Sequence, residues 1–434
     1  MRQIKRRLSP VAPPTHTLVW AWDVALICFI VAAGTGALLR FSMLYGAPYG
    51  LALHNVRHAH SHLMYFGWAT PALMALILSA LSQLTGRAPG SRAQPLLAAT
   101  FAAALLTYPA FLLFGYRPAF VGATQLPLAT MAAGLNIVLW YGFIFYYWRF
   151  TRGVTRYLPI RLWDAALVFL FLSSLGAWGL AFSAAAGMES PLIASALTHL
   201  FLDLFADGWF LLAILGLACL ALPNTATSSA ARTGENLLVA GLPLTFLLSV
   251  SSTALPPTVR AVVGLSAIVA ALGLLALLYA LLSALRATPK VSQRWLWGTA
   301  IFFLALKAAA FLAMSTPAGA QWTLGMGLRI SYLHWLLLGG ITVGLLAAAR
   351  RQWGPEVVAS WRLFLLTIIM LLVSLLPLTR LWPASLSGRW TLEAAAWVAL
   401  GPVLAAILVL LQSLLSQKER AVAGVKTTAT PSSS

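Results

Sequence analysis

Stretches of about 20 apolar residues recur along the whole chain, and each is long enough to cross a lipid bilayer as a helix. Twelve can be counted, at 18–40, 54–82, 95–115, 121–148, 161–186, 191–222, 236–255, 259–284, 295–315, 327–349, 361–380 and 391–415. Inside hydrocarbon every backbone N–H and C=O must find a partner within the protein, which leaves helices or closed barrels as the spanning structures. No alternating ten-residue pattern appears, so a β-barrel is excluded. The expected fold is therefore all-α: a polytopic membrane protein of about twelve transmembrane helices. A basic segment, 1–17, would precede the membrane domain, 18–415, and a polar tail, 416–434, would follow it. The composition agrees, with 61% hydrophobic residues, 9% charged residues and a mean hydropathy of +0.87.

The net charge of +19 would suit a nucleic-acid binder, but its placement argues against one. If the N-terminus is cytoplasmic, 20 of the 28 basic residues fall in the inside loops and tails, from Arg2, Lys5, Arg6 and Arg7 to Lys418, Arg420 and Lys426. That is the positive-inside bias of a membrane protein. It places both termini in the cytoplasm and the chain in the cell (plasma or inner) membrane, with lipid rather than nucleic acid as its partner. The first apolar stretch is long, carries Asp23 and lacks a convincing cleavage site, so it reads as a retained anchor. Cys28 and Cys219 fall within apolar segments and read as packing residues. There is no C-x-x-C-H, hence no covalent haem attachment, and no phosphate-binding loop.

Histidines carry the chemical signal. His62, His199 and His334 are 137 and 135 residues apart and fall on the second, sixth and tenth apolar segments. One imidazole on every fourth helix predicts three pseudo-repeated four-helix units around a shared site. At 1.5 Å per residue, all three lie roughly 10–12 Å below the outer start of their helices. The His62-to-Gly67 offset of five residues recurs from His334 to Gly339, whereas His199 reaches Gly208 after nine.

The second segment holds four of the seven histidines, at 54, 58, 60 and 62. His54, His58 and His62 follow i, i+4, i+8 spacing and share one face, with His60 roughly opposite. Imidazole is the usual protein ligand for haem iron, copper and zinc, so His54, His58, His60 and His62 are candidate ligands. A hydrated helix end that merely tolerates histidine is the plainer reading. On the sixth segment, His199, Asp203 and Asp207 share a face. Intramembrane carboxylates are functional candidates by default: Asp203 would orient a metal-bound His199, and Asp207 would relay protons with Lys307. A static ion pair between Asp207 and Lys307 is the structural alternative. His334 taken alone would pass for a packing residue, and its register with the others makes it a ligand candidate. Arg40, Arg57, Arg329, Arg380 and Arg389 break the positive-inside trend, and such outer arginines could neutralise haem propionates.

Twelve helices with histidines on the second, sixth and tenth resemble the catalytic subunit of haem-copper oxidases and nitric oxide reductases. The resemblance implies an axial histidine pair for a haem, His62 (or His58 or His60) with His334, and copper or a related metal at His199. It also implies propionate contacts from Arg380 and Arg389. The His-rich start of the second segment is similar to NnrS-type membrane proteins, which bind haem and copper. The resulting expectation is a haem-binding membrane protein, b-type in its haem, with copper as a possible second metal. It would work in electron transfer or in oxidoreduction of a diatomic gas, oxygen or nitric oxide, with an electron donor or other redox subunits as partners. Two other readings stand beside it. A copper-handling transporter would capture the ion at His54, His58 and His60 and carry it past His199, Asp203 and Asp207. A proton-coupled permease would use Asp203, Asp207 and Lys307 as a relay.

Overall fold

The computed structural model describes residues 16–222, 224–250 and 254–428. Most of the basic N-terminal segment, the end of the seventh apolar stretch at 251–253 and residues 429–434 of the tail lie outside the described residues. Among the described residues, eleven helices are long and apolar enough to cross a membrane. They are α1 (Val19–Tyr45), α2 (Leu53–Thr85), α3 (Ala93–Phe114), α4 (Leu128–Phe150), α5 (Leu158–Ala185) and α6 (Pro191–Ala221). After the shorter α7 (Ser229–Gly241) come α8 (Pro257–Arg286), α9 (Val291–Met314), α10 (Arg329–Trp353), α11 (Pro355–Leu378) and α12 (Arg389–Glu419).

Local chemistry sets the ends. The Ser190 hydroxyl accepts from the Ile193 N–H at the start of α6, and that of Ser228 from Ala231 at the start of α7, each satisfying an orphan donor of the first turn. Gly86 and Gly115 close α2 and α3 in left-handed backbone conformations, with φ of 67° and 58°. A side chain on Gly115 would also overlap the Asn55 amide. Strand β1 (Ala119–Val121) pairs antiparallel with β2 (Thr124–Leu126) in a small hairpin between α3 and α4.

Two elements depart from expectation, the first with a local cause. The seventh apolar stretch forms α7 and then a 3₁₀ segment, Leu242–Ser249. Pro243 cannot donate a backbone hydrogen bond and crowds the preceding turn, so the α-helix gives way to tighter coiling. At the other end, the helical backbone of α12 continues to Thr428, well into the segment expected to be a polar tail.

Three helices form the centre. The most apolar stretch of α2 is entirely buried, that of α6 is 89% buried and that of α10 is 67% buried, against 33–50% for the other eight. The surrounding helices point Leu106, Val168, Leu265, Phe302 and Leu366 outward, as expected for side chains that meet lipid.

Each central helix loosens into a π-helical turn: Leu63–Ala69 in α2, Leu204–Phe210 in α6 and Trp335–Thr342 in α10. Each turn carries a glycine packed on the preceding outer helix. A methyl group on Gly67 would press on Cys28 of α1, one on Gly208 would overlap Phe169 of α5, and one on Gly339 would overlap Phe303 of α9. Indole hydrogen bonds tie the centre together. Trp68 donates to Thr342 Oγ1 at 3.0 Å, joining α2 to α10, and Trp209 donates to Thr70 Oγ1 at 3.4 Å, joining α6 to α2. Gly208→Ala is expected to cost about 1–3 kcal/mol by overpacking, lowering the unfolding midpoint in detergent. Gly34→Ala, where a Cβ meets nothing within 4 Å, is the matched control and is expected to leave it unchanged or raised.

Candidate functional site

The first turns of α2 present the four histidines on different faces. His54 lies exposed at the helix start. His58 and His62 turn toward α3 and the loop after it, where the His62 ring stacks on Phe111 (centroids 3.8 Å, 20° between planes) and His58 meets Tyr116 at 4.9 Å. His60 turns the opposite way, toward α1 and α10. Its Nδ1 donates to the Ala32 carbonyl of α1 at 2.7 Å. A Cβ on Gly36 would stand 2.9 Å from its Cε1, so glycine at 36 is what lets the ring lie against α1.

Facing it is His334. The two rings are nearly parallel, 15° apart, with centroids 6.5 Å apart. The Nδ1 of His334 donates to the Ile330 carbonyl at 2.8 Å. In both rings, then, Nδ1 carries the proton and Nε2 keeps its lone pair, the tautomer a metal ligand needs; a backbone carbonyl on the other nitrogen is a usual orienting partner of such a ligand. Arg40, one turn beyond Gly36 on α1, is close enough to act electrostatically on both rings.

A second polar cluster lies where α6, α9 and α10 meet. Lys307 Nζ is 2.7 Å from Asp207 Oδ2, both side chains are buried, and Lys307 also donates to the Tyr332 hydroxyl. The ammonium sits 3.8 Å from the centre of the Phe311 ring, in cation–π contact. The other Asp207 oxygen has no hydrogen-bond partner among the described residues. Asp203 Oδ2 approaches His199 Nδ1 at 3.2 Å without the alignment of a hydrogen bond. Asp203 and Asp207 also act on the Tyr65 hydroxyl.

The candidate residues thus fall into separate groups. His60 and His334 face each other, while His62 and His58 stand together on the far side of α2. His199 pairs with Asp203, and Asp207 with Lys307. Among the described residues no three His, Cys, Asp or Glu side chains are gathered into a metal-binding group. Of the arginines, Arg389 is exposed, bonded to Glu393 at 2.7 Å and lies over the Tyr45 ring, while Arg329 and Arg380 are exposed. Among these arginines, Arg40 is the one that acts electrostatically on both facing rings.

The central helices also revise the register read from the histidines. The π turns begin directly after His62, Asp203 and His334, and Gly67, Gly208 and Gly339 each follow by five residues. Asp203, not His199, therefore stands in register with His62 and His334; the counterpart of His199 is His58. A second repeat signal, which the histidine spacing does not reveal, lies one helix earlier. Trp22-Asp23-Val-Ala25-Leu26, Trp163-Asp164-Ala-Ala166-Leu167 and Trp297-Gly298-Thr-Ala300-Ile301 occupy matching places on α1, α5 and α9, and all three tryptophans are buried. No protein-family model matches the chain, and no curated protein matches it in sequence.

Proposed function

We propose that this chain is a haem-binding integral membrane protein that carries electrons, with one b-type haem held between His60 and His334. The observation that carries the reading is the facing pair. Two imidazoles bound head-on to one metal at about 2 Å each have ring centres about 6 Å apart, close to the 6.5 Å separation here. Their parallel planes and carbonyl-bound Nδ1 atoms fit the same role. Haem supplies the one-electron change when bound. His60 and His334 would hold the iron, the Ala32 and Ile330 carbonyls fix the rings, Gly36 makes room and Arg40 would offer a cation to propionates. A haem held by both histidines would offer no free position to a gas, which favours electron transfer over reduction of oxygen or nitric oxide.

The architecture supports the same reading. The three matched π turns, the three glycine contacts and the three tryptophan motifs argue for three four-helix units, α1–α4, α5–α8 and α9–α12. Ser413 and Gln417 of α12 donate to Asp23 near the start of α1, at 2.8 and 2.7 Å. The first and last helices therefore begin and end on one side of the membrane, which requires an even number of passages. The segment from Ser229 to Ser249, about 35 Å long from its α and 3₁₀ rises, supplies the twelfth. The arginine-rich loops favour a cytoplasmic position for that side of a cell membrane.

Copper transport has less support, because His60 turns away from His58 and the deeper ligands do not converge. The permease reading loses its relay where Asp207 and Lys307 neutralise each other. Carbon monoxide tests the electron-transfer assignment. It is expected to leave the spectrum of the reduced protein unchanged, and a shifted absorption band would show an open iron position and overturn it.

A further inference from the structure

The geometry points to a second metal site, a two-histidine chelate for a divalent copper-like ion, formed by His58 and His62 on the face of α2 away from His334. Its starting point is helical spacing: histidines at i and i+4 lie one above the other, an arrangement that binds zinc on helices elsewhere. Here the two rings have centroids 6.3 Å apart, inclined at 65°, so a modest turn of His58 brings both onto one ion bound at about 2 Å.

The two side chains are prepared unequally. His62 is fixed: its Nδ1 donates to the His58 carbonyl at 2.8 Å and its face lies on Phe111, which leaves Nε2 as the free donor. His58 rests edge-on against Tyr116, and among the described residues neither of its ring nitrogens is hydrogen-bonded to protein. A pair serving only as packing would have its polar atoms spent, whereas the His62 Nε2 and both ring nitrogens of His58 lack a protein hydrogen bond among the described residues, and both residues are only half-buried. The turn after α3 sets the wall behind them. The Asn55 amide donates to the Leu113 carbonyl at 3.2 Å, and Gly115 reverses the chain so that Phe111 and Tyr116 flank the two imidazoles.

Two neutral imidazoles with water in the remaining positions are a borderline-soft donor set, for which copper(II) ranks above zinc, nickel and cobalt. Arg57 lies near His58 and opposes a cation, but it is exposed and screened by water. His54, one turn above and exposed, can hand an ion down to the pair. At about 12 Å of helix rise from His62, it cannot share one ion with both. The site is separate from the haem reading, since neither His60 nor His334 contributes to it.

Copper(II) chloride is the probe, added to the full-length protein purified in detergent through a tag without histidines. One tight equivalent of copper is expected, with an electron paramagnetic resonance spectrum showing coupling to two imidazole nitrogens. Removing a group that merely orients a ligand costs about 10–100-fold in metal affinity. His58→Ala and His62→Ala are therefore each expected to weaken binding at least ~10-fold, and His58→Gln and His62→Gln to do the same. His60→Ala and His54→Ala are expected to retain it. Thermal unfolding in detergent checks that each variant is folded, and the glutamine variants cover an alanine variant that is not. Wild-type affinity in the folded His58 and His62 variants, or no tight copper in the wild type, would overturn the site whether or not the protein carries haem.

Discussion

Replacing His60 or His334 by alanine is expected to leave the purified protein without haem, while His62→Ala is expected to keep it at wild-type occupancy. The difference comes from where the three rings point. His60 and His334 face each other across the gap between α2 and α10, each with Nδ1 tied to a carbonyl. His62, two residues from His60, lies flat on Phe111 of α3. Without His60 or His334 only one of the two side chains that would hold the haem remains, and no neighbouring donor can replace the lost one from the opposite face of the helix. Gly36→Val serves as a milder probe of the same geometry. Its side chain would press on the His60 ring and is expected to lower haem occupancy without removing a ligand. Absorption spectra of variants expressed with haem supplied distinguish these outcomes. A His60→Ala protein with the wild-type low-spin spectrum would contradict the axial pairing.

The second large effect is expected at Lys307 and Asp207. Both are buried, 2.7 Å apart, at the meeting point of α6, α9 and α10. Removing either partner alone strands a charge in a low-dielectric interior, and breaking such a pair costs about 3–5 kcal/mol. Lys307→Met and Asp207→Asn are each expected to lower the unfolding midpoint in detergent strongly. The double variant, which buries no net charge, is expected to recover much of that loss. A double-mutant cycle measures the coupling. Additive single losses would mean that the two side chains stabilise the bundle independently, against the contact described here.

Much of this architecture is legible in the sequence, and the parts that are not have physical reasons. Eleven of the twelve apolar segments are membrane-length helices near their expected places. The seventh has the right composition, but its helix starts earlier, at Ser229, which adds the polar Arg232 and Glu235, and Pro243 then changes its coil. Helical periodicity puts His60 and His62 on opposite faces of α2, as they are. It cannot say which face meets α10, because that depends on how α2 is rotated within the bundle. Counted from the π turns, His199 lies one turn earlier in its helix than His62 and His334 do in theirs. Counting equal intervals assumes loops of equal length, whereas the glycines packed on α1, α5 and α9 keep the register regardless of loop length. The Asp207–Lys307 contact is legible because an isolated lysine inside a membrane needs a counter-charge.

The most direct test of the central claim is a reduced-minus-oxidised optical spectrum of the wild-type protein, expressed with haem supplied, together with a pyridine haemochrome assay on the same sample. A sharp α-band, a b-type haemochrome and one extractable haem per chain are expected. A folded protein that stays colourless, or one whose haem survives unchanged when His60 and His334 are both replaced, would contradict it.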